Sequence, residues 1–440
     1  MVMDSILCDE LLQEIFHRLP PRGFSAVSLV SKRWLRLLRS STTSLSLRFT
    51  PHHSPTVLSF SSFLSHHPFL SSLSVTSVAG CGDTSNFSDE FLLFIASSCP
   101  KLRTLRFLIG PLSLLSLRSL SSSCLCLSSL TITLSRPLSF NWLIHFLSLK
   151  DLSIFFTATT PEFNPIEQYR EGFENFDAEL GIECLCLSGI RGYDCVLNWL
   201  WDRCKKLKKL QLKSCEGIGS FSSFAKCLKC LQEVELRSCR TIVDGVLLKL
   251  AENSESLDSL LVYDGGSREG LLQFITQTRC NLQKLDLRLP LDLDNNHLMA
   301  MAENFRGLLS IRLQSCCLVT GEGLKTLGRA LSDSLEELAL INCDVVEREP
   351  GLLTTLGQNL RQLRKLDLSY NELLVDKELN SMLVSCNHLG ELKLRGCEGL
   401  TNAAMVSVSK YCKQLQCLDI MHCVGIEVDA VEFLVRILQC

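Results

Sequence analysis

One short hydrophobic signature recurs along most of the chain. An apolar residue is followed three positions later by two more that flank a single, usually polar one, giving L-x-x-L-x-L, often with x-x-C or x-x-N behind it. Clear copies are Leu207, Leu210, Leu212 with Cys215; Leu231, Val234, Leu236 with Cys239; and Leu335, Leu338, Leu340 with Cys343. Leu389, Leu392, Leu394 with Cys397 and Leu415, Leu418, Ile420 with Cys423 follow, and Leu363 to Asn371 is the Asn form. The middle apolar residue falls at 73, 105, 130, 152, 185, 210, 234, 260, 285, 311, 338, 366, 392 and 418, which makes fourteen copies at a period near 26. Alternation of this kind predicts a short strand with every second side chain turned inward. Between strands the spacing becomes helical, as in 241–251, where Thr241 and Asp244 stand near the start as caps. One such unit cannot bury its apolar edge alone, so neighbours must stack. Fourteen strands at roughly 4.8 Å each give an inner arc on the order of 65 Å.

The fold class read from this pattern is α/β, a solenoid of parallel strands and helices. It resembles the leucine-rich repeat family, in its cysteine-containing subtype, over about residues 70–423. The resemblance implies a horseshoe with strands on the concave face and helices on the convex face. The cysteines fit that reading. They recur three residues after L-x-L (Cys215, Cys239, Cys316, Cys343, Cys397, Cys423) and just before the next strand (Cys99, Cys204, Cys280, Cys386, Cys412). Stacked and buried, each thiol acts as a small hydrophobe.

Residues 1–40 follow a different rhythm. Leu7, Leu11, Leu12, Ile15, Phe16 and Leu19 repeat at three and four, one apolar face of a helix that Pro20 and Pro21 stop. A second short helix holds Phe24, Val27, Leu29 and Val30, and a third runs from Lys32 through Trp34 to Leu38. Forty residues bury little surface by themselves, so a partner, the first repeats or both should cover them. With Glu10 and the run Ser28-Leu29-Val30-Ser31-Lys32-Arg33-Trp34, the segment resembles the F-box, with Cys8 standing where that pattern usually has Pro. The departure weakens the start of the first helix.

Together the two parts resemble the F-box/leucine-rich-repeat proteins abundant in plants. The resemblance implies a non-catalytic substrate-recognition subunit of a Skp–cullin–F-box ubiquitin ligase. Leu7, Leu11, Leu12, Ile15, Phe16, Leu19, Pro20, Val30 and Trp34 would carry docking to a Skp-type adaptor, and through it to a cullin, together with the packing beneath. The repeats would hold a substrate protein and keep its lysines near a charged enzyme. A hormone co-receptor of the same architecture and a repeat scaffold without a ligase partner stay open as alternatives.

Composition narrows the function further. Eighty-eight of the 440 residues are Leu and the formal net charge is −3, which argues against a nucleic-acid binder. No run is long and apolar enough for a membrane span, and no basic start precedes an apolar stretch. With 23 cysteines, the reading is a reducing cytoplasmic or nuclear setting with reduced thiols. Cys227-x-x-Cys230 has no second pair at metal spacing, so neither a metal nor a cofactor is expected. No acid–base pair or phosphate loop suggests an enzyme.

The domain reading is an F-box at 1–40 and a solenoid at 41–440. Residues 41–148 are read as degenerate, hydroxyl-faced repeats, since 40–148 hold 28 Ser and only nine charged residues. A long insertion at 156–181 carries six acidic residues interleaved with aromatics, among them Phe163, Tyr169 and Phe173. A closing helix spans 427–440. Substrate candidates are those three aromatics; Leu261 and Tyr263, apolar amid charge; and Arg288 and Arg312, neighbours on successive strands and a candidate anchor for a carboxylate or phosphate.

Overall fold

The computed structural model describes residues 7–20, 23–49, 57–77, 85–157, 178–194, 196–290 and 292–438. They divide into two compact units, Met1–Ile190 with Val196–Lys206, and Arg191–Cys195 with Leu207–Cys440.

The first unit opens with three helices, α1 (Asp9–Arg18), α2 (Phe24–Ser28) and α3 (Lys32–Ser41). Six strands follow: β1 (Ser44–Phe49), β2 (Ser72–Ser77), β3 (Thr104–Pro111), β4 (Ser129–Leu134), β5 (Asp151–Phe156) and β6 (Cys184–Ser188). The second unit has nine: β7 (Lys209–Lys213), β8 (Glu233–Arg237), β9 (Ser259–Tyr263), β10 (Lys284–Arg288), β11 (Ser310–Gln314), β12 (Glu337–Ile341), β13 (Lys365–Asp367), β14 (Glu391–Lys393) and β15 (Cys417–Asp419). Within each unit the strands are parallel and lie in chain order, with a helix or turn between consecutive strands. This is a leucine-rich-repeat solenoid. Each repeat's middle apolar residue pairs in register with the next, as in Leu73–Leu105–Leu130–Leu152 and in Leu285–Ile311–Leu338–Leu366. Inward positions are buried and flanking ones are not, the period-two pattern of a half-buried strand.

The expected fourteen strands become fifteen among the described residues, because β1 also belongs to the sheet. Its copy was hidden by Thr42, which stands where the first leucine of the signature should be. Thr42 is buried, and its hydroxyl donates to the Leu38 carbonyl at the end of α3, so that position closes a helix instead of packing a leucine. The Ser-rich stretch holds β1 to β4 and the helices Ser85–Ser98 and Leu114–Ser123. Residues 158–177 of the insertion lie outside the described residues. Its flanks are held by Arg136, which donates to the carbonyls of Thr157 (3.1 Å) and Gly189 (2.7 Å), and by Lys205 on Glu179 at 2.9 Å. The closing helix runs Val428–Leu438, with Leu434 buried and Val428, Phe433 and Val435 exposed.

Two local rules explain why the strands stop where they do. The residue before the recurrent Cys or Asn adopts a left-handed backbone, as at Ser214 (φ 50°), Ser238 (52°), Ser315 (57°) and Asn342 (48°). Its N–H turns to the carbonyl ending the next strand, for example Ser214 to Arg237 at 2.8 Å and Ser315 to Ile341 at 2.9 Å. At Leu289 (φ 53°) a bulky residue holds this conformation, which costs about 1–2 kcal/mol. The following thiol then donates to a carbonyl of the preceding repeat: Cys397 to Leu368 at 3.1 Å, Cys423 to Leu394 at 2.9 Å. Asn371 does the same work more fully. Its Nδ2 donates to Leu340 (2.9 Å) and Leu368 (2.7 Å), and its Oδ1 accepts the Cys343 N–H at 2.9 Å. Thus Cys and Asn share the position because either can supply a donor to a buried carbonyl.

Helix starts are coupled between repeats. Asp244 accepts the Ser267 N–H at 2.8 Å, Asn295 that of Thr320 at 3.0 Å, Asp376 that of Thr401 at 3.0 Å and Asn402 that of Glu427 at 2.8 Å. In each case the first turn of one helix satisfies an amide at the start of the next.

Candidate functional site

The three N-terminal helices build a small core of their own. Leu12, Phe16, Leu37 and Leu38 are buried, with Leu7, Leu19, Phe24, Val27 and Trp34 packed around them. The Trp34 ring lies 5.5 Å from that of Phe16. Arg33 ties α3 to the start of α1: its Nε and Nη2 donate to Asp9 Oδ1 at 2.8 and 2.6 Å, and Nη2 also reaches the Leu7 carbonyl at 2.8 Å. Ser31 caps α3 by accepting the Trp34 N–H at 3.1 Å. Cys8 precedes α1 with φ −70°, the value at which a proline ring would lock it. Cys8 makes no side-chain capping bond, α1 begins at Asp9, and Asp9 and Glu10 face the positive end of the helix dipole.

The structure thus sorts the nine candidates of this segment. Leu12 and Phe16 are core, and Leu7, Leu19 and Trp34 are half-buried against it. Leu11 (54% exposed), Ile15 (44%) and Val30 (56%) are left on the surface with Pro20. Leu29, absent from the candidates, is the most exposed large apolar residue of the segment at 85%. It was placed inside the second helix by sequence, whereas α2 ends at Ser28 and Leu29 and Val30 sit in the turn before the Ser31 cap. That apolar pair directly ahead of a capping serine was the available signal. Leu11 and Ile15, four apart on α1, share one helix face.

The outward strand positions of the second unit form a lattice of ion pairs. Lys209 meets Glu233 at 2.5 Å, Arg237 meets Glu235 at 3.1 Å, Lys365 meets Glu337 at 2.5 Å and Lys393 meets Glu391 at 2.6 Å. Glu337 holds the Lys365 ammonium above its ordinary pKa, through a hydrogen bond first and charge second. Arg288 grips Asp286 through Nε (2.9 Å) and Nη2 (2.7 Å). Arg312 lies 3.6 Å from the same carboxylate and 3.5 Å from Asp367, reaching across β12 over the small Ala339. The two arginines expected to anchor an anion are therefore already shared between two aspartates, and the foursome is electrically neutral. Leu261 and Tyr263 lie half-buried on β9, in register with Glu235 and Arg237 on one side and Asp286 and Arg288 on the other. Phe163, Tyr169 and Phe173 lie outside the described residues.

The first unit presents different chemistry. Along its middle outward row the register reads Ser46, Ser74, Arg106, Thr131, Ser153, and the row beyond begins Arg48, Thr76, Leu108. Arg48 and Arg106 are exposed, and neither has an acidic partner among the described residues. Sequence reasoning passed over both, though they are the basic residues standing among the hydroxyls of β1 to β4. Among the described residues no group of three or more His, Cys, Asp or Glu is placed to hold a metal ion. Cys227 is buried and Cys230 exposed. No described helix is long and apolar enough to cross a membrane.

Among known proteins, the chain resembles an internalin of Listeria monocytogenes (14% identity, 91% of this chain and 94% of that one, TM-score 0.39). It also resembles the yeast Rad7–Elc1 complex (14% identity, 96% and 90%, TM-score 0.46) and a Toll-like receptor 13 complex with single-stranded RNA (13% identity, 82% and 60%, TM-score 0.43). These likenesses are too loose to argue from. The family match is local: residues 5–43 fit the F-box domain. The chain therefore carries an F-box domain at its N-terminal end, with a leucine-rich-repeat solenoid behind it.

Proposed function

We propose that this protein is the non-catalytic substrate receptor of a Skp–cullin–F-box ubiquitin ligase. One observation carries the reading: within the F-box match, Leu11, Ile15, Leu29 and Val30 remain exposed over a core that Leu12, Phe16, Leu37 and Leu38 complete. Four large apolar side chains on forty residues that already have a core are surface set aside for another protein. The docking residues are then Leu11, Ile15, Val30 and Pro20, with Leu29 added. Leu7, Leu12, Phe16, Leu19 and Trp34 support them from beneath. A Skp-type adaptor is the partner and a cullin follows through it. The repeats hold the client protein, and the work is done in the cytosol or nucleus.

The test is capture of the full chain by a purified Skp-type adaptor. Wild type is retained, and Ile15→Asp with Leu29→Asp is not, while both are folded at the assay temperature. Undiminished capture of the double variant would remove the adaptor from the account.

A further inference from the structure

The last rung of the second unit keeps an apolar flank where a solenoid usually turns polar. Among the described residues β15 is paired on one side only, by β14. One rung back, the amides of Leu394 and Gly396 donate to the Asp419 and Met421 carbonyls at 2.7 and 2.8 Å. Their counterparts one period on, Ile420 and His422, meet no further strand among the described residues. The same step turns Leu389, Leu394, Leu400 and Met405, all fully buried, into Leu415, Ile420, Ile426 and Val431, which are only half-buried. It also replaces Glu398, Asn402 and Ser409 by Val424, Val428 and Val435, each of them exposed. Terminal repeats that face water carry a polar outer side; here the exchanges run the other way.

On the closing helix, Val428, Val431 and Val435 stand three and four apart and line one groove with Glu432 and Arg436. Asn402, which heads the matching stripe one rung back, accepts the Glu427 N–H at 2.8 Å, so this stripe is the flank turned toward a following rung. Glu432 and Arg436 are both exposed at its solvent edge and meet each other only loosely, at 3.6 Å. Under a two-fold axis, a contact from one residue to another is repeated in reverse. Two closing helices laid antiparallel about such an axis set Glu432 of each copy opposite Arg436 of the other. Run from the strand face to the helix face of the rung, the same axis lays β15 antiparallel to its own copy, so each bare edge meets another with the same need. We propose that this end of the solenoid binds a second copy of the chain, rung against rung, with Val428 and Val435 in the seam and reciprocal Glu432–Arg436 pairs on its rim. The contact goes beyond the ligase reading and does not depend on it.

The experiment is sedimentation equilibrium of the full chain without adaptor, over a concentration series. Wild type approaches twice the 49.2 kDa of one chain as concentration rises. Val428→Asp with Val435→Asp stays at the mass of one chain. Glu432→Arg alone and Arg436→Glu alone each weaken association about tenfold, because symmetry makes every reversal count twice. An equal mixture of these two single variants regains the wild-type association, since each copy supplies the charge that the other lacks. Mixing cannot repair an ion pair within one helix, so this recovery reads the contact between copies alone. Circular dichroism and melting curves confirm that each variant is folded. Wild type that stays at one chain mass up to its solubility limit overturns the proposal, as does a dimer that survives Val428→Asp with Val435→Asp. A mixture that associates no more tightly than either single variant by itself overturns it too.

Discussion

Leu29→Ala tests the docking surface more sharply than any substitution in the first helix. Full burial of a leucine side chain is worth about 1.5–3 kcal/mol relative to exposure. Leu29 is 85% exposed, so nearly all of that remains for a partner to claim, whereas Ile15 at 44% has already surrendered more than half to its own domain. Truncating Leu29 should therefore weaken adaptor binding by about 2 kcal/mol, roughly 30-fold, and truncating Ile15 by about 1 kcal/mol, roughly fivefold. Leu29→Ala removes almost no burial within the domain, so its melting temperature stays put, whereas Ile15→Ala also gives up the buried half of its side chain and melts slightly lower. Titration calorimetry with the purified adaptor reads both numbers, and a thermal scan supplies the control. Phe16→Ala provides the opposite signature: at 1% exposed it should cost about 3–5 kcal/mol of local stability. If Leu29→Ala binds as tightly as wild type while Ile15→Ala does not, the partner never covers the turn after α2. Exposed area would then be the wrong guide to this interface.

Other consequences concern the solenoid. Asn371→Ala takes the partner from the buried Leu340 carbonyl and the Cys343 N–H, while the Leu368 carbonyl keeps the Cys397 thiol, and should cost about 2 kcal/mol in urea unfolding; a loss under 1 kcal/mol would mean the bonds are replaced. A Cβ on Gly425 would stand 2.4 Å from the Leu400 carbonyl oxygen, so Gly425→Ala should lower the unfolding midpoint, whereas Gly192→Ala, which meets nothing within 4 Å, should not. Burial raises the thiols of Cys99, Cys124 and Cys412 to about 11, and those of Cys204 and Cys386 to about 12, from an ordinary value of 9.0. Above pH 9 the unfolded chain loses these protons and the folded one keeps them. Stability should therefore fall between pH 9 and 11 by as much as about 1.4 kcal/mol per pH unit for each such thiol; a flat urea midpoint across that range would contradict their burial. In the folded protein at pH 8, Ellman's reagent should modify Cys8, Cys126, Cys230, Cys317 and Cys417 quickly and these buried thiols only after denaturant is added.

The solenoid was legible because its determinants are local and repeated. Each of the fourteen middle apolar residues, from Leu73 to Leu418, lies on a strand, since L-x-L encodes both the alternation and the inward face within three positions. The fifteenth strand escaped because Thr42 serves a helix end instead of the signature. Partners were harder to read than elements. Arg288 and Arg312 looked like an anchor because spacing shows that they are neighbours, yet Asp286 and Asp367 neutralise them from positions 55 residues apart for the farther pair. Arg48 and Arg106 drew no notice because what sets them apart is the absence of such a partner, which only the sheet register reveals. In the first helix, periodicity located the apolar face but could not divide Leu12 and Phe16, which face inward, from Leu11 and Ile15, which do not.

The amide bridges from one helix start to the next bear on how this chain can change length. Asp376 and Asn402 occupy the same position in consecutive rungs and reach for the same backbone N–H one rung ahead. Excising a complete period would hand that bond to the next rung unaltered, whereas excising half a period would leave an amide facing nothing. A gene encoding such a protein can therefore drift by whole multiples of its period at little energetic penalty, since rungs can be added or dropped without redesigning any of them.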